Sequence, residues 1–457
     1  MLVVISDLHL TDCSTAANPH STAFDLLIDE LKGSVDAKQP TEIQVVLLGD
    51  IFDLVRTSWW HRNAIPAGKR PWGGTLDPKT AMNADTAEVE RQFGEVLAGV
   101  LASPSSQTLV TKLKALRDIH GKPPRVTYVI GNHDRVLNNF PALQKQIARA
   151  FDPLEIRFTN LYTSDEYDVV ARHGHEWDEN CHGWDFLCKV LDKHSKVGRF
   201  DREAYQVMAI GEVVTAELMS GFVWNVEQAL GSDPKHAAFL QVVKDVNNLR
   251  PMTDVIRWMT WLTRQDELQE YLGVASAAFQ QALADTLATS LAKQWDHLKT
   301  DLLVRGDLTD SLGWALRILR SHNGMDRLKG LTSVLEDAEK GLAAVRGHQE
   351  DDLYVGAKEE LGGDDVPATR YLLYGHTHVA RQVCFSADTA GGVRMYINTG
   401  TFLPLIERTA DGKAFFRSNR MTFICFYRKD EDLSGRLGDG PTVDVWDGLK
   451  RKDYVTA

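Results

Sequence analysis

The chain has 457 residues, 43% hydrophobic and 25% charged, which excludes a disordered chain, a collagen-like rod or a coiled coil as a global description. At roughly 100–200 residues per domain, this length holds two or three structural units. The net charge of −12 argues against a protein that coats nucleic acid through a basic surface, although metal ions can supply local positive charge for an anionic substrate.

No run of about 18 apolar residues is evident, so no transmembrane segment is expected. Met1 leads into Leu-Val-Val-Ile without a basic leader or a small-residue cleavage site. The cysteines (Cys13, Cys181, Cys188, Cys384 and Cys425) are too scattered for a disulfide framework. Both features point to a reducing, cytoplasmic setting.

In chain order, Met1–Leu10 reads as a short apolar strand ending in the polar Asp7-Leu-His9. A helical stretch around Ala23–Leu31 follows, then a strand over Ile43–Leu48 ending in Gly49-Asp50. Helical periodicity resumes over Glu88–Arg117. The next strand, Arg125–Ile130, delivers Gly131-Asn132-His133-Asp134, and Tyr167–Ala171 ends near His173. From about 177 to 370 strand signals nearly vanish. Val207, Ile210, Val214 and Leu218 follow helical spacing, and Val274–Ala292 and Leu312–Val345 read as helices. This stretch carries 21 Lys and Arg against 31 Asp and Glu, so it holds −10 of the net charge, and seven of the eleven tryptophans. Gly362-Gly363-Asp364-Asp365 reads as a solvated loop. Strands return at Tyr371–Tyr374, ending in Gly375-His376-Thr377-His378, and at Arg394–Gly400 and Thr422–Tyr427. The expected division is a core over 1–176, a helical insertion over 177–370 and the rest of the core over 371–457. Apolar strands alternating with helices indicate an α/β protein, whose sites lie at the carboxyl ends of strands.

Each polar block alone could be a capped turn. Five of them, each closing a β run, suggest one shared site. Carboxylate, amide and imidazole donors suit borderline divalent metals such as manganese, iron or zinc. The absence of cysteine from the set argues against a structural zinc site.

The order of these blocks, Asp7-x-His9, Gly49-Asp50-x-x-Asp53, Gly131-Asn132-His133-Asp134, His173-Gly174 and Gly375-His376-x-His378, resembles that of the calcineurin-like metallophosphoesterases. The resemblance implies a four-layer αββα sandwich, and the stretch over 177–370, which the shared pattern does not cover, is expected to be a large all-helical insertion, or cap, within it. It also implies two divalent ions, manganese first and iron or zinc as alternatives, and phosphodiester, pyrophosphate or phosphomonoester hydrolysis by a hydroxide the two ions share. Asp7, His9, Asp50 and His378 would hold one ion. Asp50, Asn132, His173 and His376 would hold the other, with Asp50 bridging. His133 would assist the leaving group, oriented by Asp134. His175 and Arg135 are candidate substrate contacts, Asp53 a brace for a loop or a ligand histidine, and Asn398-Thr399-Gly400-Thr401 packing around the site. His182 and His194 read as ordinary core or surface histidines.

The insertion leaves just after His173 and returns just before His376, so it should wall the site and choose the substrate. A smaller cap lies at this place in the UDP-2,3-diacylglucosamine pyrophosphate hydrolases, whose H-G-D-x-x-C run is similar to His173–Cys181, but which have arginine in place of His133. The expected substrate is a small or amphiphilic phosphate ester. A nuclease or protein phosphatase of the same fold is an alternative, the nuclease disfavoured by the acidic insertion. A binding scaffold with a vestigial metal site is another.

Overall fold

A computed structural model describes residues 1–62, 65–250, 254–262, 266–298, 312, 349–362, 369–387, 393–431 and 440–451. The protein is a mixed α/β structure with two sheets among these residues. In the first sheet, β1 (Leu2–Ile5), β2 (Gln44–Leu48), β3 (Arg125–Val129) and β4 (Ile156–Thr159) run parallel. The second sheet has the order β5 (Tyr162–Ser164), β6 (Val169–Ala171), β7 (Tyr371–Tyr374), β9 (Val393–Asn398) and β8 (Arg381–Ala387), with β6, β7 and β9 parallel. Antiparallel β10 (Pro404–Arg408), β11 (Phe415–Tyr427) and β12 (Thr442–Arg451) complete the first sheet, with β11 also pairing against β1.

Side-chain alternation along the strands builds the layers. Leu2, Val4, Val46, Leu48 and Val129 face Val169, Ala171, Tyr371, Leu373 and Ile397, so the two sheets bury a common core. The opposite face of the first sheet, with Val3, Ile5, Val45, Leu47 and Tyr128, packs against the helices. The outer face of the second sheet, with Val170, Leu372, Tyr374 and Tyr396, is covered by Leu353, Ala357 and Leu361 of the helix Gln349–Gly362. Full burial of each Leu, Ile or Val contributes about 1.5–3 kcal/mol.

Several elements depart from the periodicity reading. The stretch over Glu88–Arg117 is two helices, Thr86–Leu101 and Pro104–His120. Pro104 cannot donate to the preceding turn, and Ser103 instead caps the second helix by accepting from the Ser106 amide. The helix expected over Val274–Ala292 likewise divides into Leu272–Ala288 and Ser290–Trp295, with Thr289 extended and capping the second. Most of Leu312–Val345 and the Gly362–Asp365 loop lies outside the described residues. The helical run Arg202–Leu230 is 29 residues long, with mean hydropathy 1.4 over its most apolar window, enough by length and composition to cross a membrane. Contrary to the expectation of no such segment, it passes that test, since Glu212 and Glu217 only interrupt its apolar residues. Yet 89% of the window is buried inside the protein, so its apolar surface belongs to the core.

Candidate metal centre

The ends of β1, β2, β3, β6 and β7 meet at one place. The loop after β1 continues to pair with the loop after β2, through Asp7 N to Gly49 O (3.1 Å), His9 N to Asp50 O (2.8 Å) and Leu10 N to Ile51 O (2.8 Å). Gly375 N donates to His173 O at 2.8 Å, tying the other two tips together. Asp7, His9, Asp50, His376 and His378 all have positive φ, between 41° and 70°. Such conformations cost on the order of 1–3 kcal/mol each outside glycine and cluster at functional sites. Two glycines make room for the convergence. Gly49 has φ +82°, and a Cβ there would lie 2.3 Å from the His173 ring; one on Gly131 would lie 2.3 Å from Asp50 Oδ1.

Asp7, His9 and His378 form one buried group able to hold a metal ion. His9 Nε2 lies 3.0 Å from His378 Nε2 and 3.9 Å from Asp7 Oδ1, and His378 Nε2 is 3.4 Å from the same Asp7 oxygen. Asp50, His173 and the half-buried His376 form a second group able to hold a metal ion. Asp50 Oδ2 joins the two, 3.3 Å from His173 Nε2 and 3.5 Å from His9 Nε2. Asn132 Oδ1 sits 3.1 Å from His376 Nδ1.

The donor atoms fit a cation. His173 donates Nδ1–H to Leu48 O at 2.9 Å, which turns Nε2 toward Asp50. That nitrogen is buried and makes no hydrogen bond among the described residues. Without a metal, a proton takes the same place. Burial opposes charge on His173, but Asp50 and Asp7 push its pKa up to about 10. Burial raises Asp50 too, but His173, His133 and His9 hold its carboxyl well below the usual carboxylate range. Asp7 is pushed up to about 6 by burial and by Asp50. His9 is pushed down to about 3 by burial, then by Arg56 and His133.

Asp53 proves to be the carboxylate on which this side of the site is built. Its Oδ2 lies 2.8 Å from His9 Nδ1, 2.8 Å from His133 Nδ1 and 3.2 Å from Arg56 Nε. Its Oδ1 accepts the amides of Val55 and Arg56. The expected pairing of Asp134 with His133 is not what the fold makes. Asp134 accepts from Gly131 N (2.6 Å), Ile51 N (3.1 Å) and the Tyr128 hydroxyl (2.6 Å), so it locks the β2 and β3 tips together and Asp53 takes the place beside His133.

The two candidate substrate contacts are both buried. Arg135 is 1% exposed and binds Glu212 at 2.6 Å through Nε, joining the β3 loop to the Arg202–Leu230 run. His175 is buried among His173, His182 and Tyr205, and burial keeps it neutral. His182 is a core histidine bonded to Arg199 O, and His194 is exposed. Asn398 and Thr399 pack behind the site, with Asn398 Nδ2 donating to Gly375 O and Thr399 Oγ1 2.5 Å from Ser6 Oγ.

Three further neighbours were not singled out as site residues. Asp178 Oδ2 lies 3.2 Å from His376 Nε2 and forms a possible ligand group with Cys181 and His376, as His133 does with His9 and Asp50. Arg250 Nη2 contacts His378, and Arg56 stands beside Asp53. The one available signal was position: Asp178 and Cys181 closely follow His173, and Arg56 follows Asp53 by three residues.

Scanned against protein-family models, the chain matches none, and a search of curated proteins returns no significant relative.

Proposed function

We propose that this chain is a dinuclear metal-dependent phosphoric ester hydrolase of the calcineurin-like metallophosphoesterase kind, with a helical cap over its site. The observation that carries the reading is Asp50, one carboxylate oxygen placed between two His/Asp groups at the tips of the strands. Asp7, His9, Asp50 and His378 would hold one ion, and Asp50, Asn132, His173 and His376 the other, with manganese the first choice from the oxygen and nitrogen donors. When bound, two such ions polarise a phosphoryl group and lower the pKa of water.

The chain's own residues supply orientation and a proton. Asp53 holds His9 by Nδ1 and so aims Nε2 at the site. The same carboxylate lies 2.8 Å from His133 Nδ1, which leaves Nε2 free to serve a leaving oxygen. Asp178 steadies His376 from its far nitrogen. The substrate is a small or amphiphilic phosphate ester, because the acidic insertion repels a nucleic-acid backbone.

Hydrolysis of p-nitrophenyl phosphate and bis-p-nitrophenyl phosphate by metal-stripped protein resupplied with Mn²⁺ tests the reading, with Asp50→Asn as control. Metal-dependent turnover that Asp50→Asn abolishes, with loss of bound metal, supports it. Full turnover and metal content in Asp50→Asn refutes it.

A further inference from the structure

Beside His376 the fold assembles a sulfur-bearing group that the phosphoesterase reading does not use. The chain beyond β6 turns on Asp178, whose carbonyl accepts the amides of Cys181 (3.0 Å) and His182 (2.9 Å). Gly211 N donates to Asn180 O at 2.8 Å and so pins this turn to the Arg202–Leu230 run. Asp178 Oδ1 accepts the Asn180 amide at 2.9 Å, and Oδ2 lies 3.2 Å from His376 Nε2. One donor atom each from Asp178, Cys181 and His376 lies within 4.8 Å of the other two. Asp178 is buried, while Cys181 and His376 are half-buried, so solvent reaches the group.

These donors differ in kind from those assigned to the two ions at the strand tips, none of which is a cysteine. Oxygen and nitrogen alone suit manganese. A thiolate beside an imidazole and a carboxylate favours zinc, which accepts all three donor types and binds such a set more tightly than manganese does. Burial and then Asp178 hold the Cys181 thiol in its protonated form, and a zinc ion would take that proton's place.

His376 links the two sites. Its Nδ1 faces Asn132 Oδ1 at 3.1 Å and its Nε2 faces Asp178 Oδ2. With the lone pair on Nδ1, His376 serves the dinuclear centre and Nε2–H donates to Asp178. With the lone pair on Nε2, it serves the sulfur-bearing group and Nδ1–H donates to Asn132. Each tautomer thus finds its acceptor in place, and a neutral imidazole has one lone pair, so the two assignments exclude each other.

We propose that Asp178, Cys181 and His376 form a separate zinc site whose occupation withdraws His376 from the dinuclear centre, so that zinc inhibits the manganese-loaded protein. The inhibition rests on the phosphoesterase reading above, whereas the site does not. Co²⁺, a spectroscopic substitute for zinc, is titrated into the Mn²⁺-loaded protein and into Cys181→Ser and Cys181→Ala variants, with circular dichroism recorded. A thiolate-to-cobalt charge-transfer band should appear in the wild type, be bleached by added Zn²⁺ and be missing from both variants. In parallel, Zn²⁺ is titrated against p-nitrophenyl phosphate turnover at saturating Mn²⁺. Loss of even an outer partner of a metal ligand weakens binding about 10- to 100-fold. Both variants should therefore keep their turnover without zinc and need at least about 10-fold more zinc for half-inhibition. No band in the wild type, or a band that survives in the folded variants, overturns the site. A Cys181-dependent band with the same zinc inhibition in wild type and variants overturns the withdrawal of His376. A Cys181-dependent band in a protein that hydrolyses neither p-nitrophenyl ester overturns the hydrolase reading and leaves the zinc site standing.

Discussion

Asp53→Asn should uncouple metal binding from an otherwise intact site. The substitution keeps the shape of the side chain and can keep Oδ1 as acceptor for the Val55 and Arg56 amides. It then places an NH₂ group where Oδ2 now lies 2.8 Å from His9 Nδ1 and from His133 Nδ1. To avoid a donor facing a donor, His9 must move its proton to Nε2, the nitrogen that points at Asp7, Asp50 and His378. Loss of such an orienting carboxylate typically lowers metal affinity about 10- to 100-fold, equivalent to about 1.4–2.8 kcal/mol. The same change strips Arg56, 2% exposed, of its carboxylate. Breaking one partner of a buried ion pair costs about 3–5 kcal/mol, so denaturant unfolding of the metal-free variant should show a loss of that order. Calorimetric Mn²⁺ titration of wild type and variant at one pH is the assay. Wild-type Mn²⁺ affinity in a folded Asp53→Asn protein would refute the reasoning, because His9 would then bind without its orienting partner.

Three further outcomes follow from the same geometry. His133→Ala should retain metal and slow esters with poor leaving groups about 10²–10⁴-fold, with a much smaller loss on p-nitrophenyl esters; equal losses on both would remove its role as acid. Mn²⁺ binding near pH 7 should release a proton from His173, whose metal-free pKa is about 10, so affinity rises with pH toward 10 and falls more steeply below about 6 as Asp7 also protonates. For the metal-free protein the sign is opposite: the raised His173 pKa contributes stability that is fully present below its unfolded value near 6.5 and lost as pH rises through 10. Calorimetry in buffers of different ionisation heat reads the proton release, and none at pH 7 would contradict the assignment. Gly131→Ala should displace Asp50, since the added Cβ would lie 2.3 Å from its Oδ1 and 2.6 Å from its amide nitrogen, giving a folded but metal-poor and inactive protein by metal analysis and ester assay; normal metal content would show that the tip can relax.

The strands and their polar endings were legible because both are local properties of the chain. Apolar runs of four to six residues closed by aspartate, asparagine or histidine mark buried parallel strands and their tips. β1, β2, β3, β6 and β7 lie where those runs stand. β4, β5, β8, β10 and β12 were not read; β4 and β5 are short edge segments with little burial to impose a pattern. The breaks at Pro104 and Thr289 were also written locally, in capping residues that periodicity alone passes over.

What the sequence by itself determined, then, is which residues stand at the five strand tips and which kinds of donor atom they bring. Partnership was decided only by tertiary structure. Asp53 and Asp134 are both aspartates of a tip motif, yet one carries His9, His133 and Arg56 while the other holds two loops together. Arg135 stands next to the site in sequence and is drawn into a buried pair with Glu212, whereas Arg250, 128 residues from His378, reaches it directly. The physical reason is that a buried polar group must find its complement somewhere in the folded chain. Spacing along the sequence carries no record of which distant group the packing of sheets and helices will bring within 3 Å.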